Sequence, residues 1–173
     1  EMKSTGEVMG VGKTFGEAYI KAQMGAGERL PRPLKADGTP NGKVFLTVKN
    51  ADKPQAVQIA RELVALGFAL VATRGTASAI EAAGVACGTV NKVTEGRPHI
   101  VDMLKNGEIC MVINTVEERR NAIADSRAIR TSALLARVPT ITTIAGAEAA
   151  VEGMKFMDKL GVISVQEMHA ALA

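Results

Sequence analysis

Short apolar runs alternate with helix-patterned stretches from residue 43 onward, and this alternation constrains the fold more tightly than any other feature of the chain. The runs at 43–48, 68–72 and 109–113 are nearly continuous in Val, Ile, Leu, Phe and Ala, with a further strand at 140–143 and a weaker one at 86–90. A strand without polar alternation is one covered on both faces. Between the runs the period changes. Pro54 suits the first turn of a helix with Asp52 or Lys53 near its cap, and Ala56, Val57, Ile59, Ala60, Leu63 and Val64 share one face until Gly67 stops it. Further helices are expected over 76–83, from Pro98 to Leu104, over 121–137, over 147–160 and over 165–172. Buried strands joined by right-handed helical crossovers make an α/β fold, a doubly wound parallel-sheet sandwich. Such sheets bind ligands beyond the carboxyl ends of their strands.

Upstream of residue 43 the pattern differs. Thr14 is placed to cap a helix over 15–24 with Phe15, Ala18, Tyr19 and Ala22 on one face, and Gly25 and Gly27 would end it. Residues 31–42 hold Pro31, Pro33, Pro40, Gly38 and Gly42 and read as a linker. We therefore divide the chain into a short helical segment (1–26), a linker (27–42) and the sandwich (43–173). The first segment is too short to bury its own apolar face and is expected to belong to, or pack against, another domain. The chain begins with Glu1, as expected of a piece of something longer.

Composition excludes several functions. Aromatic residues make up 3% of the chain, too few for a base-stacking surface, and the net charge of +3 comes from scattered Lys and Arg, so no nucleic acid is expected as partner. No apolar run approaches the roughly 18 residues of a membrane span, so no membrane is expected either. Cys87 and Cys110 cannot form a disulfide framework or a zinc site; buried reduced thiols in a cytoplasmic protein are the expectation, and no metal site. Gly10-Val11-Gly12-Lys13-Thr14 imitates a nucleotide P-loop, but Glu7 stands where the first glycine belongs and no buried strand precedes it.

The strand ends carry the stronger signal. Lys53, the turn Thr73-Arg74-Gly75-Thr76, Lys92, and Asn114-Thr115 all fall on the ligand-binding edge. The turn brings backbone N–H groups of a helix N-terminus next to two hydroxyls, and Gly75 permits close approach of an oxyanion. Lys53 and Lys92 add positive charge, and each charge-assisted hydrogen bond contributes about 1.5–3 kcal/mol, so four or five give a micromolar phosphate site. Glu117, Glu118, Arg119, Arg120 and Asp125 follow over the same edge. They read either as a clamp for phosphate, ribose or base, or as a solvated charged loop. His99 and His169 lie far apart; His99 is expected on a helix surface or interface. No pair of carboxylates stands at the strand ends, so binding without chemistry is the economical reading.

These strings resemble a known family. Asp52-Lys53, Thr73-Arg74-Gly75-Thr76, Asn91-Lys92, Glu95-Gly96-Arg97-Pro98-His99-Ile100, Asn114-Thr115, Asp125-Ser126-Arg127, Thr142-Thr143 and Ser164-Val165-Gln166-Glu167-Met168-His169 are similar to the methylglyoxal-synthase-like domain that ends the large subunit of carbamoyl phosphate synthetase. Residues 4–26 resemble the tail of the preceding ATP-grasp domain. The resemblance implies an allosteric module without catalytic residues of its own. It would bind UMP or IMP, with ornithine nearby, to tune carbamoyl phosphate synthesis for the pyrimidine and arginine pathways. It implies Lys53, Thr73, Gly75, Thr76 and Lys92 on the effector phosphate, Asn114, Thr115, Arg119 and Asp125 on the nucleoside, and Thr142 at the ornithine-linked position. It also implies a small glutaminase subunit as partner and ATP with Mg or Mn in the rest of the protein, with no cofactor in this piece, and leaves a homo-oligomer open.

The chain departs from the family where Val116 follows Thr115 in place of a second hydroxyl and where the 117–124 loop is a residue longer, which leaves the base preference open. The complete Lys-Thr-Thr-Lys set favours a nucleotide over the N-acetylglutamate of urea-cycle relatives. The alternative is a phosphate-eliminating lyase of the methylglyoxal synthase type. It needs a His-Asp pair where this chain has Lys49-Asn50, and an Asp where it has Glu95-Gly96-Arg97-Pro98.

Overall fold

The computed structural model describes residues 7–92, 95–116 and 120–170, with residues 120–122 described through their backbone. The strands β1 (Lys43–Thr47), β2 (Ala69–Thr73), β3 (Gly88–Val90), β4 (Ile109–Asn114) and β5 (Thr140–Ile141) form one parallel sheet in the order β3-β2-β1-β4-β5. The α/β parallel-sheet expectation holds. The helices between them explain the unbroken apolar runs. Val44, Leu46, Leu70, Ala72, Met111 and Ile113 point to one face, where they meet Ile59, Ala60 and Leu63 of α2 (Lys53–Ala65), Ala77 and Ile80 of α3 (Arg74–Ala82), and Ala147, Ala150 and Val151 of α6 (Ile144–Met154). The intervening Phe45, Val71 and Val112 point to the other face, against Ile100 and Leu104 of α4 (Ile100–Lys105) and Ile129 and Ala133 of α5 (Arg120–Leu135). Successive side chains alternate between two covered faces, so nearly every strand position is apolar.

Several boundaries differ from the sequence reading. Helix α3 begins at Arg74, two residues earlier than expected, which makes Thr73 its N-cap and places Thr76 in its first turn. Helix α4 begins at Ile100 and not at Pro98. His99 is its N-cap, in an extended conformation, and Asp102 accepts from the His99 N–H at 3.1 Å. Strand β5 ends at Ile141 because Thr143 has become the N-cap of α6, accepting from Gly146 N–H at 3.1 Å. Helix α6 ends at Met154, short of the expected 160, and α7 (Val165–Ala170) follows a turn and an irregular stretch.

Helix α1 (Phe15–Ala26) is capped by Thr14 as expected, but its buried stripe is Gly16 and Ile20, and Phe15 is exposed. The helix lies against α6, and the reason is Gly16: a Cβ there would stand 2.6 Å from the Phe156 ring. Ile20 is 1% exposed and belongs to the same apolar cluster as the sheet. The stretch expected as a linker is strapped to this body. Leu30 and Pro31 are buried, Arg32 pairs with Asp158, and Asn41 Nδ2 donates to the Arg32 carbonyl at 3.0 Å. Among the described residues no helix is long and apolar enough to cross a membrane.

Candidate functional site

The chain runs from β1 outward through β2 to β3, then returns to the other side of β1 as β4. This reversal creates a crevice at the carboxyl ends of β1 and β4, the position where open α/β sheets bind ligands. A cavity of about 210 Å3 opens there. It is lined from four successive strand ends: Thr47, Val48, Lys49 and Asn50; Thr73, Gly75 and Thr76; Lys92; and Asn114, Thr115 and Val116. Lys53 of α2 and Asp125, Ser126 and Ile129 of α5 complete it. Seven buried residues with polar or charged side chains occur among those described, and five of them, Thr73, Thr76, Asn114, Thr115 and Ser126, line this one cavity. Burying polar groups is costly without partners, so their concentration marks the cavity as a polar site.

The threonine hydroxyls are oriented by the backbone around them. Thr76 Oγ1 accepts from the Val48 N–H at 3.2 Å, and Thr115 Oγ1 accepts from the Lys49 N–H at 3.1 Å. A hydroxyl whose lone pair is engaged this way keeps its proton for a second partner. Thr73 Oγ1 lies 3.1 Å from Thr47 Oγ1 and 3.5 Å from Thr76 Oγ1, which joins the three hydroxyls at the ends of β1 and β2. Thr73 makes no side-chain cap bond to α3, so the first N–H groups of that helix are left to the cavity side.

Charge is arranged asymmetrically. Lys49 Nζ lies 3.8 Å from the Asp52 carboxylate. Lys53 and Lys92 have no carboxylate within ion-pair distance among the described residues. A Cβ built on Gly75 would lie 3.6 Å from Lys53 Nζ, so the ammonium sits directly over the first turn of α3. Two cations and a helix N-terminus around buried hydroxyls make a site for an anion.

On the β4 side Asn114 is 1% exposed, and its amide Nδ2 donates to Ser126 Oγ at 3.0 Å. Arg130 Nη2 donates to the Asn114 main-chain carbonyl at 3.2 Å. Asp125 lines the cavity one residue before Ser126. Ser126 and Ile129 were missed by the sequence reading. Their signal was present, since 125, 126 and 129 share one helix face, but only the packing of α5 shows which face looks inward. Of the expected site residues, Lys53, Thr73, Gly75, Thr76, Lys92, Asn114, Thr115 and Asp125 are brought together. Arg119, with Glu117 and Glu118, lies outside the described residues. Thr142 is exposed just after β5 and is not among the residues that line the cavity.

His99, expected on a surface or interface, is buried, at 7% exposed. Its Nδ1 lies 3.2 Å from the Asp102 carboxylate. The His99 N–H, then the nearby Arg97, hold the Asp102 carboxyl below the usual carboxylate range. Neither His99 nor Asp102 lines the strand-end cavity. A larger cavity, about 770 Å3, lies at the opposite end of the sheet between α1, the 29–41 strap and the start of β4; it contains none of the strand-end hydroxyls. Cys110 is buried as expected and Cys87 is half-buried; both are free thiols, and burial pushes each pKa up to about 11. No group of side chains able to hold a metal occurs among the described residues.

Comparison with known proteins agrees with this architecture. Over its whole length, and at higher identity, the chain resembles one part of a longer protein. It is 60% identical over 172 residues to the carbamoyl phosphate synthase large chain of Ralstonia nicotianae, 55% identical to that of Neisseria meningitidis serogroup A and 54% identical to that of Pseudomonas putida. Each match covers 99% of this chain and 15% of the relative, so the chain spans about a seventh of the length of these relatives. A methylglyoxal synthase from Elizabethkingia anophelis shares the fold with a TM-score of 0.54 over 75% of this chain and 90% of that one, at 18% sequence identity. The family model of the MGS-like domain matches residues 55–142, which include β2 to β4 with most of the cavity lining, and the chain belongs to this family.

Proposed function

We propose that this chain is the effector-sensing part of a carbamoyl phosphate synthase large chain and that its strand-end cavity binds a nucleoside monophosphate, UMP or IMP. The observation that carries the reading is the cavity lining: two lysines without ion-pair partners among the described residues, the hydroxyls of Thr73, Thr76 and Thr115, and an uncapped helix N-terminus face one small space. That space is smaller than the ~300–1,000 Å3 of a site that engulfs a drug-sized ligand. It suits the charged end of a ligand whose other end lies outward. Lys53, Thr73, Gly75, Thr76 and Lys92 take the phosphate; Asn114, Thr115, Asp125 and Arg119 take the nucleoside.

Binding without reaction suits a regulatory role. The synthetase chemistry, its ATP and Mg or Mn, and the glutaminase partner belong in this proposal to the remaining length of the chain and to a second subunit, in the cytoplasm. Thr142, exposed beyond β5, is the proposed ornithine-linked position. Titration calorimetry of the full-length chain with UMP and with IMP tests the reading. Saturable binding of at least one is expected, and it is lost on Lys53→Met together with Lys92→Met. Absence of heat with both nucleotides at millimolar concentration refutes it. Release of inorganic phosphate from dihydroxyacetone phosphate would instead support the lyase alternative.

A further inference from the structure

We infer that the larger cavity, at the opposite end of the sheet from the strand-end site, is a docking site for an acidic, partly apolar segment of the remaining large chain. This goes beyond the nucleotide reading and does not depend on it. The cavity of about 770 Å3 lies between α1 and the 29–41 strap on one side and the start of β4 and the turn after α5 on the other. Its floor is apolar, made by the buried Leu30, Leu104 and Ile109, while Met24 and Leu34 also line it and are 56% and 52% exposed. Four cations line it as well, Arg29, Arg32, Lys35 and Arg137, and among the described residues no carboxylate does. Arg32 pairs with Asp158; the other three are exposed and have no carboxylate within ion-pair distance among the described residues.

Arg137 is the most telling of the three. It follows α5, where its N–H donates to the Leu134 carbonyl at 3.0 Å and the Val138 N–H donates to that of Ala133 at 2.8 Å. This is the helix-ending turn that glycine usually makes. Among the described residues seven glycines have positive φ, and Arg137, at φ 55°, is the one residue with a side chain that does. A Cβ is unfavourable there, so the backbone alone argues for glycine. Attraction to the C-terminal end of α5 offsets part of that strain, and Arg137 still lines the cavity without an ion-pair partner. An apolar floor under unpaired cations fits a chain segment that carries both carboxylates and apolar side chains. A small molecule inside the cavity would leave Met24 and Leu34 in water, whereas a polypeptide lying across it covers them. A second copy of this chain is disfavoured, because a two-fold contact would set the three cations against their own duplicates. This chain spans about a seventh of the length of its relatives, so the rest of the large chain is at hand to supply the segment.

The test is carbodiimide cross-linking of the full-length chain, which joins a lysine amine to a carboxylate in direct contact with it, followed by peptide mass spectrometry. Lys35 is expected to be joined to an Asp or Glu that lies outside residues 1–173. Arg29→Glu together with Arg137→Glu is expected to lower that yield about fivefold or more, since reversed charges repel the same segment. Arg137→Gly, which suits the left-handed backbone, is expected to keep the fold and to lower the yield as well. The inference is overturned if Lys35 forms no such cross-link, or if the yield is unchanged in either variant. It is equally overturned if Lys35 is joined only to carboxylates within 1–173 or, in a mixture of isotopically light and heavy chains, to a second copy.

Discussion

Replacing Lys53 with Met separates binding from folding, because this side chain makes no ion pair or side-chain hydrogen bond among the described residues of the empty protein. Lys53 is the first residue of α2, and its ammonium sits over the first turn of α3, so one cation faces the positive ends of two helices. A cation in that position is unfavourable by about 0.3–1 kcal/mol, and no carboxylate among the described residues offsets it. Met keeps the apolar stem and removes the charge. The empty variant should therefore be as stable as the parent or more so, with a melting temperature higher by up to about 4 °C. A charge-assisted hydrogen bond to phosphate contributes about 1.5–3 kcal/mol, so affinity for UMP or IMP should fall about 10- to 150-fold. Thr76→Val is the contrasting variant. It removes a ligand donor and also strips the Val48 N–H of its acceptor, so it should lose affinity and about 1–3 kcal/mol of stability together. Thermal unfolding and titration calorimetry on the same preparations decide the matter. A fall of several degrees for Lys53→Met with unchanged nucleotide affinity would refute the reasoning, since it would make Lys53 a structural residue.

Other expectations follow from the packing and the charges. Gly16→Val forces a side chain into the Phe156 ring and the Glu152 carbonyl, so it should detach α1 from α6 or cost about 1–3 kcal/mol, read by urea unfolding; an unchanged midpoint would show that the contact is dispensable. Cys87 and Cys110, with pKa values of about 11, should react slowly with iodoacetamide near neutral pH in the native protein and rapidly in urea. Fast native labelling of either would contradict its burial. Lys155 bridges Glu62 at 3.1 Å and Glu152 at 2.7 Å. The Gln58 hydrogen bond, then Lys155, lowers the Glu62 pKa below 4.5; the Glu152 hydrogen bond, then Glu62, raises that of Lys155 above 10.5. Glu62 therefore contributes fully above pH 4.5 and loses its contribution as pH falls through its lowered value. Lys155 contributes fully below pH 10.5 and loses its contribution as pH rises through its raised value. Lys155→Met should lower the urea midpoint between these limits and converge with the parent beyond both. A difference that persisted outside the window would point to lost packing instead.

The sequence reading succeeded where a local signal was unambiguous and failed where two local signals competed. Pro98 promises a helix start, yet the helix waits for Ile100, because His99 occupies the extended N-cap position and its N–H is held by Asp102. Phe15 is the largest apolar residue at the start of α1, yet Gly16 faces inward, because Phe156 needs the space that a glycine leaves. The stretch read as a linker over 27–42 holds the buried Leu30 and the Arg32–Asp158 pair, contacts that no local pattern shows.

The sequence by itself determined that the sheet is parallel and doubly covered, because unbroken apolar strands joined by amphipathic helices have no other way to bury both faces. It also determined which residues stand at strand ends, since a strand stops where its apolar run stops. Only the tertiary structure decided that these ends belong to one site. The order β3-β2-β1-β4-β5 brings Thr47, Thr73 and Asn114 beside one another, although the last two lie far from the first along the chain. Strand order is set by how helices pack on the two faces, a property of summed side-chain contacts and not of any local pattern.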